Sequence, residues 1–421
     1  MEDPPVEMAP VALRDLGLST ETSKRVRAAW TSSAHGRLAR LDVVAASLGP
    51  LGTRSVTSPT TAAASSSESS FTSPHQGSVM DIRIDGSKEF VLSCSLDGSM
   101  AVSQATVSGQ LAALCSVRRD SVGAHLQGVY SVCWYPHDNG MFVSGSQDKT
   151  VKVWDTNALE AVLTFNLEGP VYETRMSPVE TSTHNLVAIA GDMHHVTLGD
   201  ISSGSATHIL GTGAGAAVWT CAWSCRSEWE LISGSVDGQV RLWDIRRPGT
   251  RWVYDSNDVG DAARALSDHL SGRDAASRRY LEHAHAHEGA VVGCASVPGA
   301  GLFWLTTGND GRPRLWDMDS KRHMMRHYQK RCSKTKYIRR VGFSDDGRHM
   351  FHPSENAVYV FDVMSGRLVR TLGGGHFGAV HCAAWNEKLE QLYTGGSDKA
   401  MLVWGVPFGE MDEHDAWSDE Y

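Results

Sequence analysis

Short apolar runs bounded by polar turns fill most of this chain, and their length and stops read as β-strands. From Met141 to Asp155 the residues are Met-Phe-Val-Ser-Gly-Ser-Gln-Asp-Lys-Thr-Val-Lys-Val-Trp-Asp: an apolar run, a turn, and a second apolar run ending in Trp-Asp. The apolar run Val129-Tyr-Ser-Val-Cys-Trp134 stands before it, so one unit holds at least three strands. Leu231 opens a second version, Leu-Ile-Ser-Gly-Ser-Val-Asp-Gly-Gln-Val-Arg-Leu-Trp-Asp. Others end at Asp310…Trp316-Asp317 and Asp398…Trp404. In each, the turn Asp lies six positions before the Trp, and a Ser or Thr lies four before the Asp. The sets are Ser144, Asp148 and Trp154; Ser233, Asp237 and Trp243; Thr306, Asp310 and Trp316; and Thr394, Asp398 and Trp404.

Self-similar strand units at a period of about 45 residues mark the blades of a propeller. Ser103, Trp154, Gly199, Trp243, Trp316, Phe361 and Trp404 close the third strands of seven units. The fold class expected is therefore all-β: a seven-bladed β-propeller over residues 75–408, preceded by a short helical N-terminal segment. The longest gap, Trp243 to Trp316, places an insert at about 250–280. Residues 1–48 contain the helical stretch, with Leu38, Leu41, Val44 and Leu48 on one face. That face is too small to be buried alone and needs a partner. Residues 49–74 read as a flexible Ser/Thr-rich linker. The seventh unit lacks an outer strand, so a closing strand is expected from before His75, around Arg54 to Ser58. Residues 409–421, with six acids and no Lys or Arg, read as a disordered acidic tail.

The repeated residues have a physical task. A turn Asp accepts backbone N–H bonds in a tight hairpin, which Gly98, Gly238 or Lys149 completes. A buried Trp needs a partner for its indole N–H, and the Ser or Thr supplies it. A His about 22 residues before the Asp (His75, His125, His287 and His376) extends the network. His, Ser and Asp are the residue types of a hydrolase triad, but an active site is needed once and this set recurs from unit to unit. The structural reading is preferred, and no catalytic residue is assigned.

The net charge of -9 gives no support to general nucleic-acid binding. No run approaches the length of a membrane span and no signal peptide opens the chain, so a soluble intracellular protein is expected. The eight Cys are scattered through apolar strands and read as core residues rather than disulfides. His283, His285 and His287 alternate as metal ligands can, but His287 belongs to its blade and no further ligand completes a set; no metal or cofactor is expected. The basic run Lys321 to Arg340 reads as a solvated outer strand and loop, with contact to nucleic-acid phosphate or an acidic partner as the alternative.

The tandem units from Ser73 to Gly405 resemble the WD-repeat family. Within it, Tyr130-Ser-Val-Cys-Trp-Tyr-Pro-His-Asp-Asn-Gly-Met-Phe-Val-Ser, Lys152-Val-Trp-Asp-Thr-Asn-Ala-Leu, Met176-Ser-Pro-Val and Asp415-Ala-Trp-Ser-Asp-Glu look like the Cockayne syndrome group A family. The resemblance implies a nuclear, non-enzymatic substrate receptor of a cullin-RING ubiquitin ligase, acting in transcription-coupled nucleotide excision repair. It implies as partners the ligase's propeller adaptor, the cullin and RING subunits reached through it, transcription-coupled repair factors and stalled RNA polymerase II. Neither a membrane nor direct DNA contact is expected. The Trp-Asp-x-Arg box Trp243, Asp244 and Arg246 occurs once, and Lys24, Arg25 and Val26 match the family's N-terminal helix; these are the expected adaptor contacts. Here the stretch Ala34 to Pro74 is longer than the family's passage into its first repeat. A WD-repeat scaffold of another nuclear chromatin or signalling complex is the alternative, resting on fold alone.

Overall fold

The computed structural model describes residues 49–51, 74–179, 182–211, 215–247, 249–255, 284–299, 302–324, 328 and 338–405. Among these the chain forms seven antiparallel sheets, numbered here as blades one to seven in chain order. Blade one is typical: Val79–Ile84, Phe90–Ser95, Met100–Ala105 and Leu111–Val117 pair in sequence as a meander. The first strands line the axis, and that of blade one touches those of blades two and seven, which closes the ring.

Among the described residues the core is divided into seven apolar clusters, and each straddles one seam between neighbouring blades. Between blades one and two, Met80, Leu92 and Met100 face Val132, Phe142 and Trp154. A four-stranded sheet cannot bury both faces alone, so each blade is stabilised by its neighbours.

The glycine of the Ser-Gly-Ser motif belongs to these seams. A Cβ on Gly145, Gly234 or Gly395 would stand 2.6, 2.5 or 2.6 Å from a methyl of Val171, Val291 or Val79, the first residue of the next blade's inner strand. Only the missing side chain allows so close an approach.

All seven expected third-strand ends lie in third strands. Where the Trp is missing, the seams adjust. Gly199 in blade three leaves room that the Phe165 ring of blade two fills, 3.1 Å from where a Cβ would be. Phe361 in blade six is fully buried.

Three expectations are corrected. The closing strand is Gly49–Leu51, not the Arg54 to Ser58 stretch, and it pairs with Met401–Gly405 through Gly49↔Gly405, Pro50↔Trp404 and Leu51↔Val403. Proline suits this place because an outermost strand has one edge that needs no donor. The proposed insert begins later than residue 250: Thr250–Tyr254 is the outer strand of blade four. Its Trp252 and Tyr254 are buried, and Tyr254 lies 5.1 Å from the Trp316 ring of blade five. The basic run is not uniformly solvated either, since Arg339 and Arg340 are buried at the axis. Blade five has three described strands, extended by a Trp316↔His323 bridge. The helical stretch within 1–48, the tail 409–421, His283 and the rest of the insert lie outside the described residues.

Candidate functional site

First and third strands of a blade run parallel, each being antiparallel to the second, so both end on one face, called lower here. The turns holding the repeated Asp residues are on the opposite, upper face.

On the upper side the expected networks are present. In blade two, the Trp154 indole N–H donates to Ser144 Oγ at 2.8 Å, His125 Nε2 lies 2.6 Å from the same oxygen, and His125 Nδ1 lies 3.0 Å from Asp148. Blade five repeats this with Trp316, Thr306, His287 and Asp310, and blade seven with Trp404, Thr394, His376 and Asp398. Blade four keeps the Trp243–Ser233 bond at 2.8 Å, and its Asp237 bonds Gln239 N. In blade one, which has Ser103 for Trp, His75 bonds Ser93 and Ser99. Burial lowers the pKa of His125 and His287, against the opposing pull of their Asp partners. Burial also works against the Asp148 charge, but hydrogen bonds from His125 and Thr150 outweigh it and hold its carboxyl below the usual range. These groups are enclosed within the blades, which agrees with a structural role. His285 is exposed while its neighbour His287 is buried, so the two do not face one site.

The Trp-Asp-x-Arg box forms a defined surface on the lower face. Trp243 is buried and Asp244 ends the strand Val240–Asp244 with its side chain 1% exposed. Asp244 accepts two parallel bonds from Arg246, from Nε and Nη2, both at 2.9 Å. Arg251 approaches the same carboxylate at 3.6 Å. The Arg246 guanidinium lies over the Trp229 ring, 5.6 Å from its centre, and 54% of the side chain remains exposed. Hydrogen bonds from Arg246 lower the Asp244 pKa, and those to Asp244 raise that of Arg246. An arginine held by a bidentate pair and an aromatic plane presents its remaining donors in a fixed direction. His184 supports the Trp229 ring from 5.5 Å.

Charged residues missed in the sequence sit deeper, at the axis. Pairing registers put Asp81, Ser131, Glu173, Thr220, Gly293 and Cys382 at one level of six inner strands, and Arg340, just before the inner strand of blade six, joins that level through a parallel bridge to Cys382. Arg340 crosses the ring, pairing with Asp81 at 2.9 Å and donating to the Met80 and Tyr172 carbonyls at 3.0 and 2.7 Å. Glu173 accepts from Arg175 and from the Thr220 hydroxyl and Cys221 N–H of the next blade. Below them lies a cavity of about 340 Å³ walled partly by Arg83, Arg175, Trp223 and Trp385. The signal was present as isolated charges inside apolar inner strands, Val79-Met-Asp-Ile-Arg and Val171-Tyr-Glu-Thr-Arg.

Seven meandering blades, three of them with the complete His, Ser or Thr, Asp and Trp network and two more with part of it, define a WD-repeat propeller. A family model described as WD domain, G-beta repeat, matches residues 66–102, 117–155, 204–244 and 366–405. The Arabidopsis thaliana WD repeat-containing protein ATCSA-1 is 33% identical over 84% of this chain and 93% of its own length. Radiation-sensitive protein 28 of Saccharomyces cerevisiae is 34% identical over 30% of this chain and 26% of its own. A guanine nucleotide-binding protein subunit beta from Oryza sativa subsp. japonica is 25% identical over 78% of this chain and 81% of its own. The chain belongs to the WD-repeat family, and within it is a Cockayne syndrome group A-like member. Propellers of this kind serve typically as non-catalytic scaffolds or receptors. The family model passes over blades three, five and six, where the Trp is absent or the unit is interrupted.

Proposed function

We propose that this protein is the substrate receptor of a nuclear cullin-RING ubiquitin ligase in transcription-coupled nucleotide excision repair, docking the ligase's propeller adaptor through its lower face. The single observation that carries the docking is a coincidence of position. Gly49 pairs with Gly405 at the lower end of blade seven, so the closing strand begins on the face that displays Arg246; Lys24, Arg25 and Val26, the other expected adaptor contacts, precede it in the chain and lie outside the described residues. An N-terminal segment and an anchored arginine delivered to one side suit a single adaptor surface. The cullin and RING subunits are then reached through the adaptor, and the other face is left to repair factors and stalled polymerase.

The test is co-purification from nuclear extract. Arg246→Ala weakens adaptor recovery on the order of tenfold, as expected for an arginine anchor. Arg246→Ala combined with deletion of residues 1–48 abolishes it. Undiminished recovery of adaptor and cullin by the double variant removes the docking proposal. Absence of both from wild-type complexes favours a scaffold of a different assembly.

A further inference from the structure

The His–Asp network has a second effect beyond holding each blade together. In four blades the backbone N–H of the residue after the His donates to the turn Asp: Leu126 N to Asp148 at 2.9 Å, Phe377 N to Asp398 at 3.0 Å, Gln76 N to Asp97 at 2.5 Å, and Glu288 N to Asp310 at 3.4 Å. The His is drawn inward, and the next side chain is turned out from the upper face. Three of these positions, Phe377, Gln76 and Leu126, belong to blades seven, one and two, which are consecutive around the closed ring, whereas Glu288 of blade five stands apart and is itself acidic.

What they display is unusual for a solvated rim. Phe377 is 90% exposed and Leu126 71% exposed, and Val122, in the connection leading to Leu126, is 97% exposed. The surrounding charge is mostly positive. Arg118 and Arg119 follow the outer strand of blade one, Lys149 follows Asp148, and Lys399 follows Asp398; all four are exposed, against the exposed acids Asp120 and Glu168 in the upper connections of the same blades. Arg119 packs beside the Asp97 turn, since a Cβ on Gly98 would lie 3.5 Å from its own. The carboxylates of Asp97, Asp148 and Asp398 are already engaged by backbone N–H groups. Large apolar side chains held rigidly outward within a cationic rim cost solvation unless something covers them.

We propose that the upper face of blades seven, one and two is a docking surface for a partner segment that alternates acidic with aromatic or aliphatic side chains. Phe377, Val122 and Leu126 meet the apolar side chains, and Arg118, Arg119 and Lys149 meet the carboxylates. Because the display positions are pinned by hydrogen bonds, little ordering entropy is lost on this side of the contact. As a substrate-side surface it rests on the receptor reading above; as a peptide surface it does not. The Arg246→Ala variant, altered on the opposite face, keeps the two failures apart.

The experiment is fluorescence anisotropy with the full chain and a labelled octapeptide in which four Asp or Glu residues alternate with two Phe and two Leu. A control peptide has every acid replaced by its amide. The acidic peptide binds at least fivefold tighter than the control, and its affinity falls as salt rises. Phe377→Ser with Leu126→Ser weakens it about tenfold at unchanged thermal stability, and so does Arg118→Glu with Arg119→Glu. Equal affinity for the two peptides, or undiminished binding by both double variants, overturns the proposal. A further arm uses the full chain with Glu410, Asp412, Glu413, Asp415, Asp419 and Glu420 changed to amides. If that chain binds the probe and the natural chain does not, the occupant is the chain's own acidic segment, and docking of a separate partner is overturned.

Discussion

Asp148 and Asp237 occupy the same turn position in blades two and four, yet they hold different amounts of structure together. Asp148 takes hydrogen bonds from Leu126 N, Thr150 N, the Thr150 hydroxyl and His125. Blade four has no His, and Asp237 serves Gln239 N and the Ser235 hydroxyl. Removing a partner from a buried imidazole leaves a desolvated donor, which costs more than losing an exposed turn bond. Asp148→Ala is therefore expected to destabilise by about 2–4 kcal/mol, and Asp237→Ala by about 1 kcal/mol. Thermal unfolding of the two variants side by side checks the order, and equal losses would remove the case for the His-linked network. These residues were legible in the sequence because each set recurs at fixed spacing. Asp81, Glu173, Arg175 and Arg340 were not, because each occurs once and has a partner in another blade.

At the scale of the strand, the close approach between blades explains a residue that turn chemistry left unexplained. The Gly of Ser-Gly-Ser lies within a strand, where it weakens the sheet unless another chain passes close by. Gly234→Ala would place its methyl 2.5 Å from Val291 Cγ1, against a rigid inner strand. The expected loss is about 1–3 kcal/mol, as for other overpacked cores. Gly211, with nothing within 4 Å of its Cβ position, is the control, and Gly211→Ala leaves the melting temperature nearly unchanged. Differential scanning fluorimetry distinguishes the two. Strand identity was readable from the apolar runs, including the Trp-less third strands at Ser103 and Gly199. The misassigned elements were those with weak local signals: Gly-Pro-Leu, poor in β-forming residues, and Thr250–Tyr254, hidden at the head of a long gap.

At the scale of the whole molecule, stability is spread over seven seams and depends on closure. Deleting residues 49–51 leaves Met401–Gly405 as an open edge, and an unpaired edge invites pairing with another chain. Loss of monomer and a lower melting temperature are expected, read by size-exclusion chromatography with light scattering. Buried histidines add a dependence on acidity. Burial holds His75 and His381 at about 4 and His352 at about 3, with Arg339 adding to the last two. Their folded values lie below the ordinary value near 6.5, so the unfolded chain binds more protons between about pH 6.5 and 4. Their contribution is complete above 6.5 and is lost as the pH falls through that window. The melting temperature should therefore decline steadily from pH 6.5 to 4.5; a flat profile would refute the buried neutral state of these groups.

The sequence alone determined the number of blades, the third-strand ends and the Ser or Thr, Asp, His and Trp networks. These rest on contacts within one repeat, and repetition makes a local pattern stand out. The Trp-Asp-x-Arg box was also legible, because it is short and contiguous. Only the tertiary structure decided which three residues close the ring, and it placed their start on the face that displays Arg246. It also decided that Arg340 crosses the axis to Asp81, and that Phe377, Val122 and Leu126 share one rim. Each of those facts joins residues far apart in the chain, through a geometry that exists only once the seven blades have closed.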